Sequence, residues 1–141
     1  MLTQDEIAQL RKFKFVRVKS QFAEHWLPRP IMGEPLTEQA KFVFVSGQCH
    51  AFAIAIHKLT GWQIVADEDF LGRAKGHILV RMPDGKGVID ATDEVLEDHA
   101  SFQVITREDL MRAYKNGYRE WIYPNVRAAL PFAKARLAVL K

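Results

Sequence analysis

Apolar residues change their spacing several times along this chain of 141 residues, and those changes divide it into elements. Thr3-Gln4-Asp5-Glu6 has the spacing in which a hydroxyl and a carboxylate cap one helix end reciprocally, which predicts a short helix from Thr3 to about Arg11. Phe13, Phe15, Val16 and Val18 then alternate loosely with Lys14, Arg17 and Lys19, a pattern that suits an edge strand or an extension of that helix. Pro28, Pro30, Gly33 and Pro35 break regular structure and predict a loop over 28–36. Phe42 to Val45 read as a short buried strand or an extended lead-in, ended by Ser46-Gly47-Gln48.

The best-defined helix runs from Cys49 to Leu59, with Cys49, Phe52, Ala53 and Ile56 on one stripe and Gly61 as its stop. Trp62 to Ala66 predict a strand, and Asp67 to Gly76 an acidic, glycine-containing loop. His77 to Met82 and Val88 to Asp90 predict two strands joined by the turn Pro83-Asp84-Gly85-Lys86-Gly87, together a hairpin. If Asp84-Gly85 is a two-residue turn, Pro83 faces Lys86 and Leu79 faces Asp90. His77 then lies diagonally across from Asp90 on the same face, while a one-residue slip would separate them. The five-residue turn also permits a longer loop with a bulge. Thr106 to Asp109 cap a helix to about Lys115. Residues 125–140 form a last helix, kinked or restarted at Pro131. The expected fold is α+β in a single domain over 1–141, with its core in 42–106. A helix bearing Cys49 packs on a small antiparallel sheet, flanked by helices at both termini.

Composition narrows the classes. Hydrophobic residues make up 48% and charged residues 26%, the balance of a folded globular chain. A single cysteine excludes an intramolecular disulfide and a four-cysteine zinc site. No basic leader is followed by an apolar run, and no window is apolar for long enough to span a bilayer, so a cytoplasmic location is the expectation. The net charge of +3 hides an acidic middle, where residues 61–100 carry nine acidic groups against four basic ones. That footprint lacks the basic stripe of a nucleic-acid binder.

Three residues carry chemistry. A thiol becomes a strong nucleophile when it ionises, and Cys49 opens a helix whose N-terminal N–H groups favour the thiolate. An adjacent imidazole activates it further, and His77 opens a strand. That imidazole needs a carboxylate or amide on its far nitrogen to fix its tautomer, and Asp90 closes the paired strand. The order Gly47-Gln48-Cys49-His50-Ala51-Phe52-Ala53, then Gly76-His77-Ile78-Leu79-Val80-Arg81, then Val88-Ile89-Asp90 resembles the core of the papain-like cysteine enzymes. The transglutaminase-like branch is the nearer likeness, and arylamine N-acetyltransferases share the order. The resemblance spans about residues 46–92. It implies Cys49 as nucleophile, His77 as general base and acid, and Asp90 as its orienter. Ile78 and Leu79 stand where the transglutaminase-type histidine is commonly followed by an aromatic residue, and Ala91-Thr92 replaces proline after the aspartate, so the substrate class does not carry over.

Plainer roles compete with these. Cys49 also fits a small buried hydrophobe, His77 an exposed strand end, and Asp90 the cap of a short helix over 93–98. Gln48 is a candidate oxyanion donor or part of the helix N-cap region, with the backbone N–H of Cys49 the safer donor. His50 lines the cleft beside the thiol or faces solvent. His50 and His57 are seven apart, too far for a helical metal pair, and no metal or cofactor is expected. Val126, Leu130, Phe132 or Ala133, Leu137 and Leu140 form a stripe flanked by Arg127, Lys134 and Lys141. That stripe suits a helix closing a core, or one that meets a membrane surface or partner. The expected activity is hydrolysis of a peptide, protein or small amide through a Cys-His-Asp triad and a covalent acyl-enzyme, as a thiol protease, amidase or deamidase. The alternatives are acyl transfer from a thioester donor, or a non-catalytic member of the same fold that binds a protein partner.

Overall fold

A computed structural model describes residues 1–7, 14–19, 23–46, 48–66, 77–110 and 125–140. Among them lie β1 (Phe15–Lys19), β2 (Glu24–Pro28), α1 (Glu38–Ser46), α2 (Cys49–Thr60), β3 (Gln63–Ala66), β4 (Ile78–Arg81), β5 (Val88–Ile89), β6 (Gln103–Ile105) and α3 (Val126–Ala138). The architecture is α+β with two small antiparallel sheets. One is the pair β1–β2 and the other has the order β5-β4-β3-β6. No single helix among the described residues is long and apolar enough to cross a membrane.

The expected caps form. Thr3 and Glu6 exchange bonds, the Thr3 N–H donating to Glu6 at 3.1 Å and the Glu6 N–H donating to Thr3 Oγ1 at 3.1 Å. Thr106 and Asp109 do the same at 2.9 and 3.0 Å. The continuations of both helices, over 8–13 and 111–115, lie outside the described residues. Gly61 ends α2 in the left-handed conformation at φ 78°, its N–H donating to the His57 carbonyl.

Residues 42–45 are helical rather than a strand or extended lead-in, because they belong to α1. Thr37 caps that helix by accepting from the Ala40 N–H at 3.2 Å. Ala40, Val43 and Phe44 then turn inward while Phe42 is 64% exposed, the three-and-four spacing of a helix. Residues 91–94 carry bends instead of a helix over 93–98, and Leu96 bridges back to Val88. Partnering β1 with β2 buries Val18 and Leu27 completely.

α2 is the centre of the molecule, buried from His50 to Ile56. It lies against α1, α3 and the four-stranded sheet. Phe44 packs on Phe52 and Phe132 with ring centroids 5.7 and 5.0 Å apart, which ties the three helices together. The core therefore reaches beyond residues 42–106 at both ends, to Val18 and Leu27 on one side and Ala129 and Phe132 on the other. Ile64, Ile78, Val80 and Ile89 belong to this main cluster. Val65, Leu79 and Val88 form a second cluster covered by Leu96 and Phe102.

α3 runs through Pro131. Of the expected stripe, Phe132 and Ala133 are buried, and Val126, Leu130, Leu137 and Leu140 are half-buried and packed against the core. Ala128, Ala129, Ala135 and Arg136 are buried beside them. Small side chains let the helix approach α2 closely, so the larger aliphatic groups stay at the rim. Arg127 and Lys134 are exposed, as the flank of a helix that closes a core.

Candidate active site

Two short devices position the catalytic candidates. The first is the start of α2. The Gln48 N–H donates to the Val43 carbonyl at 2.9 Å, and the Gln48 carbonyl accepts from the Phe52 N–H at 3.0 Å, so α2 starts where α1 stops. Cys49 is thereby the first helical residue, half-buried and not in a disulfide. The N–H groups of this first turn have no acceptor within the helix and carry its positive partial charge.

The second device is the β4–β5 hairpin. Asp84 and Gly85 both have positive φ, 60° and 69°, the two-residue turn whose twist matches its strands. The Lys86 N–H meets the Pro83 carbonyl at 3.4 Å, and Val80 pairs with Ile89 and Arg81 with Val88. Continued one step, this register sets Leu79 opposite Asp90, as the two-residue turn predicts. His77 and Asp90 stand just outside β4 and β5, and His77 Nε2 lies 2.9 Å from Asp90 Oδ2.

The other oxygen of Asp90 is also held. Oδ1 accepts from the Thr92 N–H at 2.8 Å and from the Thr92 hydroxyl at 2.5 Å. Asp90 therefore closes a local turn around Thr92, not the N-terminus of a helix, and its carboxylate is 6% exposed. Arg136, from the far end of the chain, donates through Nε to the Asp90 carbonyl at 3.2 Å and through an Nη to the Glu94 carbonyl at 3.2 Å.

The thiol interacts with two imidazoles, those of His50 and His77. Since His77 presents Nε2 to Asp90, Nδ1 is the nitrogen left for Cys49. Burial by itself pushes the thiol up, but the bonds to His50 and His77 outweigh it and bring it down to about 6. His77 is pushed up to about 10, first by its bond to Asp90 and then by its bond to Cys49. Burial pushes Asp90 up as well, and the bonds from His77 and Thr92 overcome it and hold the carboxyl below its ordinary value. The three directions agree. They favour a thiolate, an imidazolium and a carboxylate near neutral pH.

The sequence candidates separate into two groups here. Cys49, His77, Asp90 and His50 come together, with His50 almost wholly buried against the thiol rather than facing solvent. Gln48 is fully buried, and its amide serves as a brace. Nε2 donates to the Lys19 carbonyl at 2.8 Å, and Oε1 accepts from the Asn125 N–H at 3.1 Å. Asn125 in turn caps α3 by accepting from the Ala128 N–H at 3.2 Å, so Gln48 fixes the start of α2 to β1 and to α3. His57 places Nδ1 2.7 Å from the Trp62 carbonyl, away from the thiol. Among the described residues no three His, Cys, Asp or Glu side chains are gathered to hold a metal ion.

Two contributors were not read from the sequence. Thr92 has a signal, because Asp-x-Thr favours a turn in which the aspartate accepts from the residue two positions on. Arg136 has one too, since Ala129, Phe132, Ala133 and Arg136 follow the spacing of a buried face. No known protein family, curated protein or solved structure matches the chain.

Proposed function

We propose that this protein is a cysteine enzyme that cleaves an amide bond by acyl transfer to Cys49, with His77 and Asp90 completing the triad on a papain-like, transglutaminase-like core. The observation that carries this reading is the 2.9 Å contact of His77 Nε2 with a buried, doubly held Asp90 while the same ring is bonded to a thiol at a helix start. A buried cysteine of purely structural use has no need of an oriented imidazole.

The reaction balances in two halves. The Cys49 thiolate adds to the substrate carbonyl carbon, and the N–H groups of the first turn of α2 face the developing oxyanion. His77 Nδ1–H protonates the departing amine as the C–N bond breaks, leaving a thioester on Cys49 and a neutral imidazole. A water molecule gives a proton to that imidazole and attacks the thioester, which releases a carboxylic acid and regenerates the thiolate–imidazolium pair. Peptides, small amides and side-chain amides all present this carbonyl, so peptidase, amidase and deamidase share one mechanism here. Acyl transfer differs only in the acceptor of the second half.

The test is the pH dependence of Cys49 alkylation by iodoacetamide in the parent and in His77→Ala. The expected result is a parent rate that reaches half its plateau near pH 6 and a variant whose midpoint moves upward. A thiol titrating at ~8.5 in both proteins would sink the activated nucleophile. Mass spectrometry of the acylated protein, with and without an added amine, then separates hydrolysis from transfer.

A further inference from the structure

Arg136 has donors that the fold leaves unused. It is 2% exposed, and among the described residues it donates only to the carbonyls of Asp90 and Glu94. A guanidinium has five N–H groups in a fixed plane, so three remain. Burying such a charge in an apolar core is costly unless something answers it. No buried side-chain nitrogen or oxygen among the described residues lacks a partner, so the remaining Arg136 nitrogen is open to space rather than sealed in the core. The space it meets is a cavity of about 660 Å³ that Arg136 helps to line.

The chemistry of this cavity is two-sided. Trp62, Met82, Val139 and Leu140 give it an apolar wall, contributed by the start of β3, the hairpin and the end of α3. Lys86 on the hairpin turn and Arg136 give it two cations. Asp93 also lines it, paired with Lys41 at 2.5 Å and acting on Arg136 as well, so the lining holds two cations against one carboxylate. The site therefore has a positive excess beside an apolar surface, at a size typical of small-molecule pockets. It lies at the turn end of the hairpin, whereas His77 stands before the opposite end of β4.

We infer that this cavity binds a small carboxylic acid with an aliphatic or aromatic body, its carboxylate on Arg136 and Lys86 and its body against Trp62 and Leu140. The planar fork of Arg136 suits a carboxylate, which accepts two parallel N–H bonds. This site is separate from the thiol chemistry and needs no activity at Cys49. Its occupant would nonetheless touch the residue that holds the Asp90 backbone in place.

Calorimetric titration with octanoate, octanol and octylamine tests this, in the parent and in Cys49→Ala. Octanoate is expected to bind both proteins alike, with octanol weaker by about tenfold or more and octylamine silent. Lys86→Glu changes an exposed turn residue and is expected to weaken octanoate by about tenfold. Val139→Trp fills the apolar end and is expected to abolish binding. The inference is overturned if the parent fails to bind octanoate, if octanol binds equally well, or if both variants keep parent affinity. It is also overturned if Cys49→Ala loses the ligand, since binding would then belong to the thiol. The alkylation profile of Cys49 remains an independent measurement, so either reading can fail alone.

Discussion

Cys49 is served by two regions that reach it in different ways. The first turn of α2 brings the helix N-terminus and His50, both fixed by covalent neighbourhood. The β4–β5 hairpin brings His77 and Asp90, which are 28 and 41 positions further along the chain and depend on strand register. Both regions lower the thiol. The hairpin's imidazole has its far nitrogen held by a carboxylate. The difference separates two tasks that a catalytic cysteine needs. A helix start can make a thiolate, but moving a proton to and from the substrate needs a base with a fixed tautomer and a stable charged form.

The largest effect should come from breaking the hairpin's contribution at Asp90. In Asp90→Asn the imidazole keeps a neighbour but loses the charge that pushes it up, so its alkaline limb is expected to move down from about 10. Turnover of an amide substrate is expected to fall by about 10²–10⁴, the range for a disabled general acid–base. Stability tests the same pair. Asp90 lies below its ordinary 3.8, so its contribution is present above that value and is lost as pH falls through the lower folded value. His77 lies above its ordinary 6.5, so its contribution is complete below 6.5 and is lost as pH rises through about 10. The parent's advantage over Asp90→Asn in urea denaturation should therefore be greatest between pH 3.8 and 6.5 and shrink on both sides. A difference that does not change with pH would place Asp90 outside the pair.

A smaller break acts on the hairpin's backbone. Gly87 has φ 114°, and a Cβ there would lie 2.5 Å from the Leu96 carbonyl oxygen and 2.9 Å from Val95. That carbonyl accepts from the Val88 N–H at 3.0 Å, so a side chain at 87 would push away the segment that follows Asp90. Gly87→Ala is expected to cost about 1–3 kcal/mol in chemical denaturation. Gly85→Ala meets open space and bears only the cost of its left-handed backbone, about 1–2 kcal/mol. If the Gly87 variant also slows alkylation of Cys49 while the Gly85 variant does not, the connection behind Asp90 matters to the triad.

How far the sequence reveals this molecule follows the range of the forces involved. The hairpin was legible because Asp84-Gly85 demands one turn, and that turn fixes which residues face each other across four positions of strand. The capping boxes at Thr3 and Thr106 and the stop at Gly61 are equally local. Residues 42–45 misled because four apolar residues in a row fit a buried strand or a helix turn, and only Thr37 and the exposure of Phe42 decide between them. The end of α3 was opaque for a different reason. Whether Leu137 or Arg136 turns inward depends on how closely α3 approaches α2, and small side chains at 128, 129 and 133 set that distance. The candidate triad needed local order and one register; the buried arginine behind it needed the tertiary packing.

The smallest effect sharpens the comparison most, because it removes the helix's imidazole and leaves the hairpin's. His50 is 2% exposed and bonded to the thiol although neighbouring helical residues do not ordinarily face each other. In His50→Gln the thiol loses one of the two bonds that offset its burial, so its midpoint should rise above about 6 and alkylation at pH 6 should fall several-fold. His77 and Asp90 are untouched by this change. As pH is raised past the new midpoint, the thiolate refills, and both alkylation and amide turnover should return toward the parent plateau. His77→Ala should regain alkylation in the same range but not turnover, since the imidazole oriented by Asp90 is gone. A His50→Gln protein whose turnover stays low at every pH, with alkylation restored, would show that His50 also takes part in proton transfer. The helix start and the hairpin would then share that task instead of dividing it.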